Sequence, residues 1–179
     1  HRTGKDGRFD QLKTSPIRFL VPWTIQGLWV FLTMIVVIVI NSQADSAPAL
    51  GIWDGIGLSI WILGFAIEVV ADNQKTVFNS EPKNKDKWID SGLWSYSRHP
   101  NYLGEILLWT GIAIFGVSCF SGLEKVAWIS PIFIYILLTK ISGTPILDRR
   151  ALEKWGDNPE YQIYRDTTPP LIPRFNKKS

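Results

Sequence analysis

Residues 95–105, SYSRHPNYLGE, place Arg98, His99, Pro100, Asn101, Tyr102 and Glu105 within one short run. Proline suits the first turn of a helix, where its missing N–H costs nothing. The run therefore reads as a helix start with a guanidinium and an imidazole at its mouth, and a helix N-terminus beside an arginine suits an anion. Asn101 offers either a cap for that helix or an amide donor and acceptor for a ligand. Glu105 lies one turn further along, on the same face. Upstream, Glu68 and Asp72 are four residues apart and share a helical face near the polar end of an apolar stretch. Acidic groups at such depth are costly and face a bundle interior, a partner or water. Each residue alone also fits an ordinary role. Arg98 suits a lipid-phosphate anchor, His99 a cap or packing residue, Tyr102 an interfacial anchor, and Asp72 and Glu105 solvated charges at headgroup level. Their co-location is what points to a ligand.

The elements that must position these groups are membrane helices. Four apolar stretches, at about 19–40, 50–71, 102–120 and 126–141, approach the roughly 20 residues that span a bilayer. Tryptophans and tyrosines near several ends fit an interfacial belt. The expected fold is an all-α integral membrane bundle; a soluble bundle of very apolar helices is the alternative. The basic residues are one-sided. None lies in NSQADSAPA, between the first two stretches, and only Lys125 lies between the third and fourth. The positive-inside rule puts both termini and the 72–101 loop on the cytoplasmic or equivalent side. Such a basic surface also suits contact with anionic membrane lipids.

Residues 1–179 read as a single domain. It opens with a polar, basic approach, HRTGKDGRFDQLKTSP, and has a long polar loop, DNQKTVFNSEPKNKDKWIDSGLW, carrying Trp88 and Trp94 as interfacial anchors. After the fourth stretch, Gly143 and Pro145 break the helix. A short interfacial helix ending near Gly156 is expected next, then a turn around Pro159 to Tyr164 and an irregular tail. The sequence begins at His1 rather than methionine and opens on no signal pattern, so it reads as the C-terminal part of a longer chain with membrane helices ahead of it.

Composition excludes several classes. One cysteine and two histidines rule out an internal disulfide and argue against a cysteine or histidine metal site. The net charge is only +3 and nothing resembles a nucleic-acid module. No Gly-x-Gly-x-x-Gly follows a strand, and no P-loop or nucleophile elbow appears. Gly51 and Gly55 in GIWDGIG have the spacing of close helix packing. Any nucleotide is therefore held by helix ends and loops.

GLWSYSRHPNYLGE resembles the signature of the steroid 5-alpha-reductase-like membrane proteins. ADNQK (71–75), GKDGRFDQLK and the closing KISGTPILDRRALEKWGDNPEYQIYRDTTPPLIP resemble other motifs of the same family, in order. The arginine–histidine–proline element alone also occurs in isoprenylcysteine and phospholipid methyltransferases. The resemblance implies a helical membrane fold with a cytoplasm-facing cofactor cavity, NADPH as cofactor, and reduction of a carbon–carbon double bond in a steroid or similar lipid. By motif, Asn101 and Glu105 resemble cofactor contacts, and Asp72 and Lys75 resemble polar positions at the end of the preceding helix. Arg98, His99 and Tyr102 belong to the same wall, joined by Asp148, Arg149 and Tyr164 from the closing segment. The cluster of Arg149, Arg150 and Lys154 suits the 2′-phosphate of NADPH. In steroid reductases the groups that polarise the substrate lie largely on earlier helices, so no proton donor is assigned, and this stretch alone is expected to be a poor catalyst. Two alternatives remain: an S-adenosylmethionine-dependent lipid or isoprenylcysteine methyltransferase, and a non-catalytic subunit that keeps the fold within a larger membrane complex.

Overall fold

The structure, a computed structural model, describes residues 15–43, 45 and 49–173. The opening segment with GKDGRFDQLK and the end of the tail lie outside the described residues. Among those described, the regular structure is entirely helical: α1 (Pro16–Ser42), α2 (Ile52–Ser80), α3 (Pro100–Phe115), α4 (Ile129–Ile136), α5 (Thr144–Trp155) and α6 (Pro159–Thr167), with short 3₁₀ turns and one π turn, Leu137–Ile141, between them. Three stretches are long and apolar enough to cross a membrane: Phe19–Ser42, Ile52–Ser80 and Gly122–Trp155. With 16 residues, α3 is about 24 Å long, short of the roughly 30 Å hydrocarbon core. The outward faces carry Leu20, Trp53, Leu63 and Ile132, all exposed. In water such a surface would aggregate; in lipid it needs no cover.

Four glycines set the centre of the bundle. Gly57 and Gly64 of α2 face Gly111 and Gly104 of the antiparallel α3. A methyl group built on Gly64 would lie 2.6 Å from the Leu108 nitrogen and 2.7 Å from the Gly104 carbonyl oxygen. One built on Gly104 would meet the Glu68 nitrogen and the Gly64 carbonyl oxygen at 2.7 Å each. Without side chains at these points the two backbones touch. The pair expected from sequence, Gly51 and Gly55, does not pack this way: Gly55 has nothing within 4 Å of an added carbon, and Gly51 meets only its own cap partner Asp54. Gly51 is the N-cap of α2 and Gly55 lies in its first turn, before the seam begins. On the other side of the molecule α1 meets α4 through buried Ser130, whose Oγ donates to the Leu32 carbonyl at 2.9 Å and accepts from the Val36 amide at 3.2 Å.

Helix α2 runs nine residues beyond Ala71, into what the sequence suggests is loop. Its polar last turns are stabilised from outside the helix. Ile89, Leu93 and Trp94 fold back onto Ala71 and Phe78. The Trp94 indole donates to the Ala71 carbonyl at 3.0 Å, and Gln74 Oε1 accepts from the Leu93 amide at 3.0 Å. Gly92, at φ +60°, lies directly against the Gln74 side chain, where a larger residue would meet both strain and atoms. His99, rather than Asn101, occupies the N-cap position of α3, without a side-chain cap hydrogen bond, and Pro100 stands in the first turn. Beyond α5, which ends at Trp155, the expected turn is a full helix, α6, capped by Asn158 accepting from the Glu160 amide at 2.9 Å.

Candidate functional site

At one end of the bundle the last turns of α2, the 81–99 segment, α5 and α6 enclose a cavity of about 290 Å³. Each element arrives for a local reason. The 81–99 segment is drawn onto α2 by Trp94. The arginine that opens the α3 motif is held by the tail: the Arg98 amide donates to the Pro169 carbonyl at 2.9 Å, and Ser97 Oγ donates to that of Pro170 at 3.3 Å. Helix α6 is tied down by the Tyr164 hydroxyl, which donates to the Trp94 carbonyl at 2.9 Å. Burial pushes the Tyr164 hydroxyl well above the usual phenol range, and that of Tyr161 upward as well.

The cavity walls carry five cationic side chains, Lys75, Lys87, Arg98, Arg150 and Lys154, and one carboxylate, Asp148. Asp148 Oδ1 accepts from Arg98 Nη1 at 3.0 Å and lies 3.0 Å from His99 Nε2. A carboxylate only accepts, so this contact places the imidazole proton on Nε2. The Arg98 side chain is 12% exposed, yet its Nε has no hydrogen-bond partner, and neither has the indole nitrogen of Trp88. Buried donors are normally paired, but both nitrogens are covered by protein atoms, so the cations and rings that line the cavity are the groups offered to a ligand. Aromatic rings line the rest. Trp88 packs edge-on against Tyr161 at 5.2 Å and against Trp155 at 6.0 Å, and Lys75 sits 4.7 Å over the Trp94 ring. A phosphate-bearing molecule with a flat ring matches this chemistry. Among the described residues no group of His, Cys, Asp and Glu could hold a metal ion.

The residues singled out from sequence divide into two neighbouring groups. Lys75, Arg98, His99, Asp148 and Tyr164 line the cavity. Asp72, Asn101, Tyr102 and Glu105 lie outside its lining, beside the α2–α3 seam. The groups are continuous: the Tyr102 ring stacks on His99 at 5.5 Å, Asp72 is within electrostatic reach of Lys75 and Tyr102, and Glu105 is within reach of Glu68 and Asp72. Arg149 stands apart. It is 71% exposed and faces Glu153 at 3.9 Å, while its neighbour Arg150 faces the cavity. Trp88 and Trp94, expected as interfacial anchors, are walls of the cavity, and Trp94 is buried. Sequence reasoning did not single out Trp155, Tyr161 or Lys87. The available signal was the density of aromatic and basic residues in the closing segment, which an interfacial helix shares.

Among known proteins, the family model described as "Protein of unknown function (DUF1295)" matches residues 1–168. An uncharacterized protein of Schizosaccharomyces pombe is 28% identical over 153 residues, 74% of this chain and 42% of its own. A Delta(14)-sterol reductase of Arabidopsis thaliana is 27% identical over 131 residues, 66% of this chain and 31% of its own. A probable O-methyltransferase of Ustilaginoidea virens is 36% identical over 58 residues, 32% of this chain and 20% of its own. The chain spans less than half the length of these curated relatives. No solved structure matches it significantly.

Proposed function

The chain belongs to the DUF1295 family, a steroid 5-alpha-reductase-like family, and from that premise we propose that it is an NADPH-dependent reductase of a carbon–carbon double bond in a steroid-like or other lipid. The observation that carries this reading is a cavity lined by five cationic side chains, Arg98 among them, against one carboxylate, together with several aromatic rings. Phosphate oxygens pair with such cations, and the rings suit a nucleobase or nicotinamide. At about 290 Å³ the cavity is at the lower end of ligand pockets and takes part of a dinucleotide. Beside the cavity, Asn101 would offer an amide, and Asp72 and Glu105 would offer carboxylates, to ribose hydroxyls of the remainder. Arg150 and Lys154 suit the 2′-phosphate; Arg149, turned towards Glu153, does not.

When bound, the cofactor supplies the hydride. The chain's own residues hold the phosphates, orient the ring and exclude water. The lipid approaches from the bilayer that the apolar helices require, and the similarity to a sterol reductase supports a sterol-like substrate. The cavity joins basic residues of 75–98 to those of 150–154 at one end of the bundle, which is the cytoplasmic or equivalent end under the positive-inside rule.

The test is a titration of the purified protein with NADPH and NADH. Arg98→Gln and Arg150→Gln should each weaken NADPH binding about tenfold or more, since hydrogen bonds to charged groups are worth about 1.5–3 kcal/mol. Arg149→Gln should leave it unchanged, and Asn101→Ala and Glu105→Ala should weaken NADPH and NADH alike. Equal affinity of the wild type for NADPH and NADH, or equal effects of Arg149→Gln and Arg150→Gln, would sink the assignment. Binding without NADPH oxidation across a panel of enone lipids would leave an accessory role in a larger membrane complex. The likeness to a probable O-methyltransferase favours a second reading, with S-adenosylmethionine as cofactor. That molecule has no phosphate and carries a positive sulfonium, a poor match to five cations. Binding of S-adenosylmethionine but not NADPH would reverse the order.

A further inference from the structure

Between α2 and α3, residues 81–91 run as a strap over the cavity. Lys87, Trp88 and Ile89 of the strap form one wall, and α5 forms the facing wall through Arg150, Lys154 and Trp155. Asp86 ties the two walls together at the rim. Its carboxylate lies 2.9 Å from Lys154 Nζ, and its carbonyl accepts from the Trp155 indole at 2.6 Å. Asp86 is also the only non-glycine residue at positive φ among those described, at 63°. Aspartate and asparagine tolerate that conformation better than other side chains, so the position is shaped to turn the strap here.

The tie is weak by construction. Asp86 is 70% and Lys154 49% exposed, and an exposed pair of this kind is screened by solvent and easily opened. The hydrogen bond from Lys154 holds the Asp86 carboxyl below the usual carboxylate range. Lys154 also lies 4.8 Å over the Trp155 ring and faces the cavity. Its ammonium is thus held at the rim by Asp86, on a residue that also lines the cavity.

We propose that the 81–91 strap is a lid latched by Asp86 on Lys154, and that a phosphate-bearing ligand entering the cavity takes Lys154 away from Asp86. The identity of the ligand rests on the NADPH reading above; the latch does not. If the proposal holds, Asp86 competes with the ligand for a cation, so removing its charge strengthens binding. Asp86→Asn keeps both the tolerance for positive φ and the carbonyl that Trp155 uses, and removes only the charge. Lys154→Gln opens the same latch but also removes the cation the ligand needs.

The test uses the full chain in lipid nanodiscs, with hydrogen exchange of the strap and stopped-flow NADPH binding followed by tryptophan fluorescence. Both variants should raise exchange of the strap amides up to about fivefold, the range set by an exposed ion pair. Asp86→Asn should bind NADPH faster and up to about fivefold more tightly, whereas Lys154→Gln should bind it more weakly. Unchanged strap exchange in both variants overturns the latch. NADPH affinity that is unchanged or reduced in Asp86→Asn, as a purely structural contact would give, overturns the transfer of Lys154. Should NADPH bind none of the three proteins, the NADPH reading falls and exchange alone decides: raised in both variants, it upholds the lid; unchanged, it overturns it.

Discussion

Gly104→Ala adds a single methyl group where the backbones of α2 and α3 touch. The new carbon would meet the Glu68 nitrogen and the Gly64 carbonyl oxygen at 2.7 Å, and Glu68 Cβ at 2.8 Å. Two of these atoms are helix backbone and cannot rotate away. Ordinary contact begins near 3.4 Å, so α2 and α3 must part locally by roughly 0.7 Å. Overpacking of this size costs about 1–3 kcal/mol. Against it stands the helix preference of alanine over glycine, about 1 kcal/mol. The preference applies at every helical glycine, whereas the overpacking does not. Gly55 of α2 and Gly27 of α1 have nothing within 4 Å of an added carbon, so Gly55→Ala and Gly27→Ala isolate the preference. We expect those two variants to be as stable as the wild type or more so. Gly104→Ala should fall below Gly55→Ala by about 1–3 kcal/mol, read as reversible unfolding in mixed micelles by circular dichroism. Because the same parting shifts Tyr102 and His99 relative to Lys75, NADPH affinity should fall in the folded protein too. If Gly104→Ala tracks Gly55→Ala within about 0.5 kcal/mol, the helices are not in backbone contact and the seam is wrong.

Three further outcomes are expected. Tyr164 has its hydroxyl pushed up by burial, so its contribution to stability is present below the unfolded phenol value near 10 and is lost as pH climbs beyond it. In an alkaline absorbance titration Tyr164 should ionise last, Tyr164→Phe should remove that late phase, and simultaneous ionisation of all tyrosines would contradict the burial. Trp94→Phe removes the donor to the Ala71 carbonyl and should cost about 1–3 kcal/mol, together with faster hydrogen exchange in 72–80; undisturbed exchange there would show that the end of α2 stands without Trp94. Ser130→Ala should cost only about 0.6–1.7 kcal/mol, the range of interhelical hydrogen bonds in membranes, while Ser130→Leu should cost more by forcing α1 from α4; the reverse order in unfolding titrations would mean the contact is loosely packed.

The sequence by itself determined the class of the molecule. Long apolar runs such as FLVPWTIQGLWVFLTMIVVIVI have few arrangements open to them in lipid, because every backbone group must be satisfied within the segment. The position of Pro100 likewise marked the start of α3, because proline's missing N–H is harmless only there. Part of the candidate site was also legible: Lys75, Arg98, His99, Asp148 and Tyr164 were singled out by type and motif, and they line one cavity.

Other features depended on tertiary packing. The sequence contains many glycines at helical spacing, and only the antiparallel docking of α2 on α3 selects Gly57, Gly64, Gly104 and Gly111 over Gly51 and Gly55. The polar turns of α2 after Asp72 look like loop because their support, Trp94 and Leu93, comes from about twenty residues further along. Arg149 and Arg150 are chemically equivalent neighbours, but successive residues on a helix point about 100° apart. Which of them faces the cavity is therefore set by the rotation of α5 about its axis. That rotation follows from contacts of Asp148 with Arg98 and His99 and of Trp155 with Asp86, between residues about 50 to 70 positions apart. Local pattern determines which segments are helical and apolar; contacts between distant segments determine which face of each helix meets the site.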